Sequence, residues 1–254
     1  MILSERVKDT DIKAYFFVKF MEKKYVDRFK EGYVHMKNLK AYVDMEKDKQ
    51  KVGVGDKYEG SLVLKGGQLK VYNEADEHLF DLETEEVTLT HEQDLLHPVF
   101  CSYVIDMDNL KIIDETNDYV TTNIAMSDEE LEKIIEEFPD TAVFISASEF
   151  YNRFLAACKN KGYDLDAEKV KYYDYLINQK DRVATFLTDP LVKKAFIKSD
   201  YFQHQNEFRF IITNKEIYEP LDDFNIGDIS DIAFEMKTDE ILKFKTRFKK
   251  DTSK

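Results

Sequence analysis

The chain has no tryptophan, only 8 glycines and 4 prolines among 254 residues, and two cysteines. So few glycines and prolines exclude a loop-built or low-complexity protein. Cys101 and Cys158 sit in the apolar contexts V-F-C-S-Y and F-L-A-A-C and read as small buried hydrophobes, the alternative being a disulfide between them. No run approaches the roughly 18 apolar residues of a membrane helix, and the charged start M-I-L-S-E-R-V-K-D-T-D has no apolar segment of a secretory signal. The expectation is a cytoplasmic protein with no membrane partner. The five histidines show no H-E-x-x-H or paired-cysteine spacing, so no metal is expected. There is no G-x-S-x-G elbow, no G-x-x-x-x-G-K-[ST] and no G-x-G-x-x-G.

What is present is apolar, aromatic and acidic. A hydrophobic share of 43% with 15 Tyr and 19 Phe is ample for a packed core. The formal charge of −14 is uneven: residues 74–140 hold 21 acids against Lys111 and Lys133, a net of −19, which leaves +5 for the remainder. Such a stretch reads as a solvated, insertion-like surface, or as a face for a basic protein partner such as the nucleic-acid groove of a host nuclease. Direct nucleic-acid binding by so acidic a chain is not expected. The basic stretch K-F-K-T-R-F-K-K closes a predicted amphipathic helix over 238–250, where lysines complement the helix dipole.

Along the chain, Tyr15 to Phe20 reads as a buried strand, and Met21 to Lys30 changes to a helical period ended at Gly32. Tyr33 to Met36 is a short strand and Leu39 to Met45 a helical turn. V52-G-V-G-D-K-Y-E-G60 is a loop that places Asp56, Tyr58 and Glu59, either as a plain connection or as part of a site. S-L-V-L-K and Q-L-K-V-Y around Gly66-Gly67 read as a hairpin, and Leu79 to Thr90 as further strand. Val99 to Ile105 is apolar throughout and belongs near a sheet centre. Ser127-Asp-Glu-Glu130 is a capping box, followed by a helix to Pro139, a strand from Ala142 to Ser146, and a helix capped by Ser148 and closed at Gly162. Val170 to Tyr175 is a strand, and Asp189-Pro190 opens a short helix. No repeat or domain boundary appears. The fold class is α+β: one domain over 1–254, with a mixed or antiparallel sheet, hairpins and flanking helices.

The stretch K198-S-D-Y-F-Q-H-Q-N-E-F-R-F-I-I212 draws the functional reading. Phe208, Phe210 and Ile212 fall on one strand face, while Gln205, Glu207, Arg209 and Ile211 fall on the other. The polar row either holds a ligand or faces water. A Gln or Glu two residues before a Glu is also a pattern of ADP-ribosyltransferases. There a fixed carboxylate steadies a cationic, oxocarbenium-like transition state, and the neighbouring polar residue orients the nucleophile.

Four stretches, F17-V-K-F20, G55-D-K-Y-E-G60, V99-F-C-S102 and F202-Q-H-Q-N-E-F-R209, occur in an order that resembles the bacterial and phage family called domain of unknown function 2971. The resemblance spans Phe17 to Ile212. It departs where Lys57 replaces a proline, Phe202 a tryptophan and Gln205 a glutamate. More distantly it is similar to an ADP-ribosyltransferase-like fold. The resemblance implies that Lys19, Asp56, Tyr58, Glu59, Gln205, Glu207 and Arg209 converge. Lys19 would then meet a diphosphate, Tyr58 would stack on a flat ring, and Glu207 would be the catalytic carboxylate of an NAD-using transferase or glycohydrolase. The competing account is a salt-bridge network in which Arg209 and Lys19 neutralise Asp56, Glu59 and Glu207. Two further functional readings stand beside the enzyme: a phage-borne, anti-defence inhibitor acting through 74–140, and a nucleotide-binding sensor or sponge.

Overall fold

The structure, a computed structural model, describes residues 1–6, 15–47, 56–138, 140–188 and 191–250. Its strands in chain order begin with β1 (Phe16–Met21), β2 (Tyr33–Asn38), β3 (Ser61–Tyr72), β4 (His78–Thr90) and β5 (Pro98–Ile105). Next come β6 (Leu110–Glu115), β7 (Tyr119–Ile124), β8 (Thr141–Ser146), β9 (Leu165–Lys169) and β10 (Lys171–Tyr173). The last are β11 (Ile197–Ser199), β12 (Glu207–Ile212), β13 (Leu221–Asn225), β14 (Ala233–Lys237) and β15 (Lys245–Lys249). The α-helices are α1 (Leu3–Arg6), α2 (Val26–Lys30), α3 (Leu39–Lys47), α4 (Asp128–Glu137), α5 (Ala147–Lys161) and α6 (Lys180–Thr188). Several antiparallel sheets with flanking helices make the fold α+β.

The main sheet runs β13-β2-β5-β1-β8-β14, with β12 on the other edge of β5 and β9 beyond it. The apolar run of β5 takes the middle because its side chains are buried on both faces. One edge of β5 pairs with β12 from Val99 to Tyr103. The opposite edge is divided. β1 pairs only with Tyr103 to Ile105, and β2 only with Val99 and Pro98. Between them Phe100, Cys101 and Ser102 have no strand partner on that edge among the described residues, so the sheet forks there. The segment linking β1 to β2 contains α2, whose Phe29 packs on Phe100 with ring centroids 6.0 Å apart. α2 ends at Gly32, with φ of +91°, where a Cβ would lie 2.0 Å from the Gly227 carbonyl oxygen. Only glycine fits that approach.

Each sheet face carries its own core. On one, Phe150 and Phe154 of α5 pack against Phe17, Phe100 and Phe210. On the other, Val18, Phe144 and Ile134 meet Ile241 and Phe244. Ser127 caps α4 as expected, its hydroxyl accepting from the Glu130 N–H at 3.2 Å while Glu130 accepts from the Ser127 N–H at 2.8 Å.

Several expectations are corrected. The predicted hairpin at Gly66-Gly67 is one continuous strand, β3, paired with β4 over its whole length. The long β4 partner satisfies more backbone groups than a fold-back would. The turn lies instead at Asn73, whose Oδ1 accepts from the N–H of Ala75 and Glu77 at 2.9 and 3.0 Å. The helix over 238–250 is a 3-10 turn, Thr238–Lys243, followed by β15. Phe244, Thr246 and Phe248 also alternate, and the open edge of β7 decides for a strand. Its basic end is met within the chain, Lys250 Nζ lying 2.6 Å from Glu115 Oε1. The N-cap of α5 is Ser146, with no side-chain capping bond, so Ser148 lies inside the helix. Residues 74–140 include β5, the centre of the sheet. The glycines at 53 and 55 and the Asp189-Pro190 helix start lie outside the described residues.

Candidate functional site at the fork of the sheet

The polar row of β12 neither faces water nor stands free. The 3-10 turn Asp200–Gln205 ends at Asn206, whose φ of +36° reverses the chain before β12. The Asn206 side-chain amide donates to the Val104 carbonyl at 2.6 Å. That turn aims Gln205, Glu207 and Arg209 at one face, while Phe208, Phe210 and Ile212 enter the α5 core. Gln205, Glu207 and Arg209 are 4%, 7% and 1% exposed, so whatever neutralises them must be protein.

It is a chain of alternating charge. Glu207 receives Lys198 Nζ on Oε1 at 2.5 Å and Arg209 Nε on Oε2 at 2.8 Å. Arg209 Nη1 reaches onward to Glu59 Oε1 and to the Ala195 carbonyl. Lys198 also donates to Gln205 Oε1 at 2.6 Å, and Gln205 Nε2 donates to Glu137 Oε2 at 2.8 Å. His204 Nε2 lies 2.8 Å from the other Glu137 oxygen. Two carboxylates and two cations balance in the buried centre, as burial of ions requires. Burial would push the Glu207 carboxyl up, but the charges of Arg209 and Lys198, with their hydrogen bonds, outweigh it and hold the group well below the usual range. Glu59 goes the other way: burial raises its carboxyl, and Arg209 only partly offsets that.

The turn Asp56–Gly60 delivers Glu59. The Asp56 carboxylate accepts from the Tyr58 N–H at 2.9 Å and from the Ser199 N–H at 3.3 Å, tying the turn to β11. Gly60 has a φ of +63° and faces Leu95 so closely that a Cβ would lie 2.6 Å from its Cδ2. Tyr58 turns away, its hydroxyl donating to Glu86 at 2.9 Å and its ring packing near Tyr175.

Of the seven residues named from sequence, Lys19, Glu59, Gln205, Glu207 and Arg209 line one small cavity of about 90 Å³, open to solvent; Asp56 and Tyr58 do not. The cavity sits in the fork: Val18, Lys19 and Phe20 of β1 on one side, Cys101, Ser102 and Tyr103 of β5 on the other. Lys19 does not neutralise Asp56, Glu59 or Glu207 by contact. Its ammonium spans the fork, donating to the Cys101 carbonyl at 2.7 Å and lying 4.7 Å from the Phe100 ring centroid. Lys198, which does neutralise Glu207, was missed. It sits nine residues upstream across the 3-10 turn, where no strand or helix period links the two; the only signal was a lysine ending the apolar run A-F-I. Burial pushes the Cys101 thiol up to about 12, which makes it inert as a thiolate nucleophile.

Lys19, Phe20 and Tyr42 also wall a second, larger hollow of about 750 Å³ between β1, β2, α2 and α3. Arg28 and Lys37 add positive charge, against Glu22 and Asp222. Arg28 lies over the Tyr33 ring at 4.6 Å and donates to the Asp222 carbonyl at 3.2 Å; His35 pairs with the Asp222 side chain. Phe29, Phe100 and Tyr25 supply ring surface. Among the described residues no group of His, Cys, Asp and Glu could hold a metal ion, and no helix is long and apolar enough to cross a membrane.

No family model, curated protein or solved structure matches the chain. The two resemblances drawn from the motifs therefore rest on those motifs alone.

Proposed function

We propose that this chain binds a nucleotide in the larger hollow of the fork. The observation that carries this is a pair of lysines on one wall, Lys19 and Lys37, with no carboxylate partner among the described residues. Burial lowers the Lys19 ammonium against the opposing pull of Cys101 and Glu207, and Lys37 adds to the lowering; an anion between the two lysines would offset that shift. A half-buried cation held by one carbonyl in a chain of net charge −14 is an arrangement that a phosphate would complete. A volume of about 750 Å³ suits a nucleotide, since small-molecule sites span roughly 300–1,000 Å³. The half-exposed ring of Tyr25 offers a base its stacking surface, and the Asp222 carboxylate offers sugar hydroxyls an acceptor.

The NAD-cleaving reading fits less well. Both oxygens of Glu207 are taken, and the cavity beside it, about 90 Å³, is smaller than the roughly 150 Å³ that admits benzene. A sensor or sponge is therefore favoured over an ADP-ribosyltransferase. The test is thermal melting with AMP, ADP and NAD, alongside an assay for released nicotinamide. Binding raises the midpoint as ligand exceeds its Kd. A rise that disappears in the Lys19→Ala/Lys37→Ala variant supports the reading, and no rise with any nucleotide refutes it. Nicotinamide release lost in Glu207→Gln would restore the enzyme.

One observation favours a second reading, the acidic inhibitor. The outer part of the β3–β4 ribbon exposes Tyr72, Leu79, Phe80 and Leu82 at about half their surface among Glu74, Asp76, Glu77, Asp81 and Glu83. A basic groove is the matching partner. Retention of a purified nuclease at low salt, lost on Phe80→Glu, would support it; no retention would remove it.

A further inference from the structure

The fork also places Lys19 as a nucleophile would be placed. Its side chain leaves β1 where that strand parts from β5, so its ammonium stands at the wall shared by both hollows. One hydrogen bond, to the Cys101 carbonyl, and the face of Phe100 are its direct contacts. Lys37 of β2 and Glu207 of β12 are the charged groups whose fields reach it. Three other lysines are treated differently: Lys198 has Glu207, Lys193 has Asp166 and Glu168, and Lys169 has Asp106. A lysine desolvated against a ring and beside a second cation is the setting in which an amine gives up its proton near neutrality and attacks carbonyl carbon.

We propose that Lys19 forms a reversible imine with an aldehyde or ketone that also carries a phosphate or carboxylate, the anion resting near Lys37 and the carbonyl carbon at Lys19 Nζ. The neutral amine adds to the carbonyl to give a carbinolamine, which loses the former carbonyl oxygen as water and leaves a carbon–nitrogen double bond. No oxidant or further reactant is needed, and hydrolysis returns both partners. Burial lowers the proton affinity of Lys19, Cys101 and Glu207 pull it back up and Lys37 lowers it further, and the net lowering acts in the same direction. The inference rests on the hollow being an anion site but not on the anion belonging to a nucleotide.

The probe is pyridoxal 5′-phosphate, a ring-bearing aldehyde with a phosphate, added to the full chain, reduced with borohydride and mapped by peptide mass. The expected result is labelling of Lys19 roughly tenfold faster than the mean of the other lysines. Lys19→Arg, which keeps the charge but forms no imine, should lose that label and leave background labelling unchanged. Lys37→Gln should slow labelling of Lys19 while leaving the melting midpoint within a few degrees of wild type, which separates reactivity from folding. Labelling spread evenly over surface lysines, or unchanged by Lys37→Gln, overturns the proposal. Nucleotide binding with even labelling would leave the nucleotide reading standing and remove the imine; a selective Lys19 label without nucleotide binding would do the reverse.

Discussion

Replacing either glutamate of the buried chain tests how its charge is shared. Glu207→Gln leaves Lys198 and Arg209 to divide the single charge of Glu59, which touches only Arg209. Removing one partner from a buried ion pair costs about 3–5 kcal/mol. For a domain near this size each kcal/mol moves Tm by roughly 2–4 °C, so the melt should fall by roughly 6–20 °C. Glu59→Gln should cost under about 2 kcal/mol, because burial already pushes that carboxyl toward its neutral form and an amide oxygen can still accept from Arg209. The pH dependence separates them further. Glu207 is held below its unfolded value near 4.3, so its contribution is present above that value and is lost as pH falls toward the folded one. Glu59 is raised, so its contribution is present below the unfolded value and lost as pH rises through the folded one. Urea unfolding from about pH 5 down to about pH 2 should show a shallower acid loss in Glu207→Gln than in wild type. Equal destabilisation by the two substitutions, with parallel pH curves, would refute this sharing.

Gly60→Ala should cost roughly 1–3 kcal/mol, from the left-handed backbone and the shift forced on Leu95; a urea midpoint unchanged from wild type would show that the turn carrying Glu59 relaxes freely. Ser127→Ala should cost about 1 kcal/mol through loss of the cap, read as faster amide exchange in the first turn of α4 with β8 unaffected. Phe29→Ala should cost about 3–5 kcal/mol and let the fork close, measured as lower stability together with weaker nucleotide binding; stability lost with binding intact would detach Phe29 from the site.

The strands were legible where burial leaves a period in the sequence. β5 announced its central place by an unbroken apolar run, and β12 announced two faces by alternation. The fork was not legible, because it depends on where β1 and β2 let go of one edge of β5, which local pattern does not encode. Lys198 was invisible for a related reason: a 3-10 turn breaks any period connecting it to Glu207. At 238–250 the apolar spacing fits both a helix and a strand, and only the free edge of β7 chooses. Glu207 and Arg209 share a face of β12 while Gln205 lies in the 3-10 turn before it, and sequence alone left the neighbours of all three open. The structure supplies two cations and two carboxylates in contact, and puts the uncommitted positive charge at Lys19 and Lys37 instead.

Titration calorimetry of the full chain with ADP, at low and at moderate salt, addresses the lysine-walled hollow most directly. Saturable binding is predicted, with affinity falling roughly ten- to a hundredfold for each lysine removed at position 19 or 37, since hydrogen bonds to charged groups contribute about 1.5–3 kcal/mol. Heat indistinguishable from dilution, or an affinity that the double variant leaves unchanged, would contradict the account.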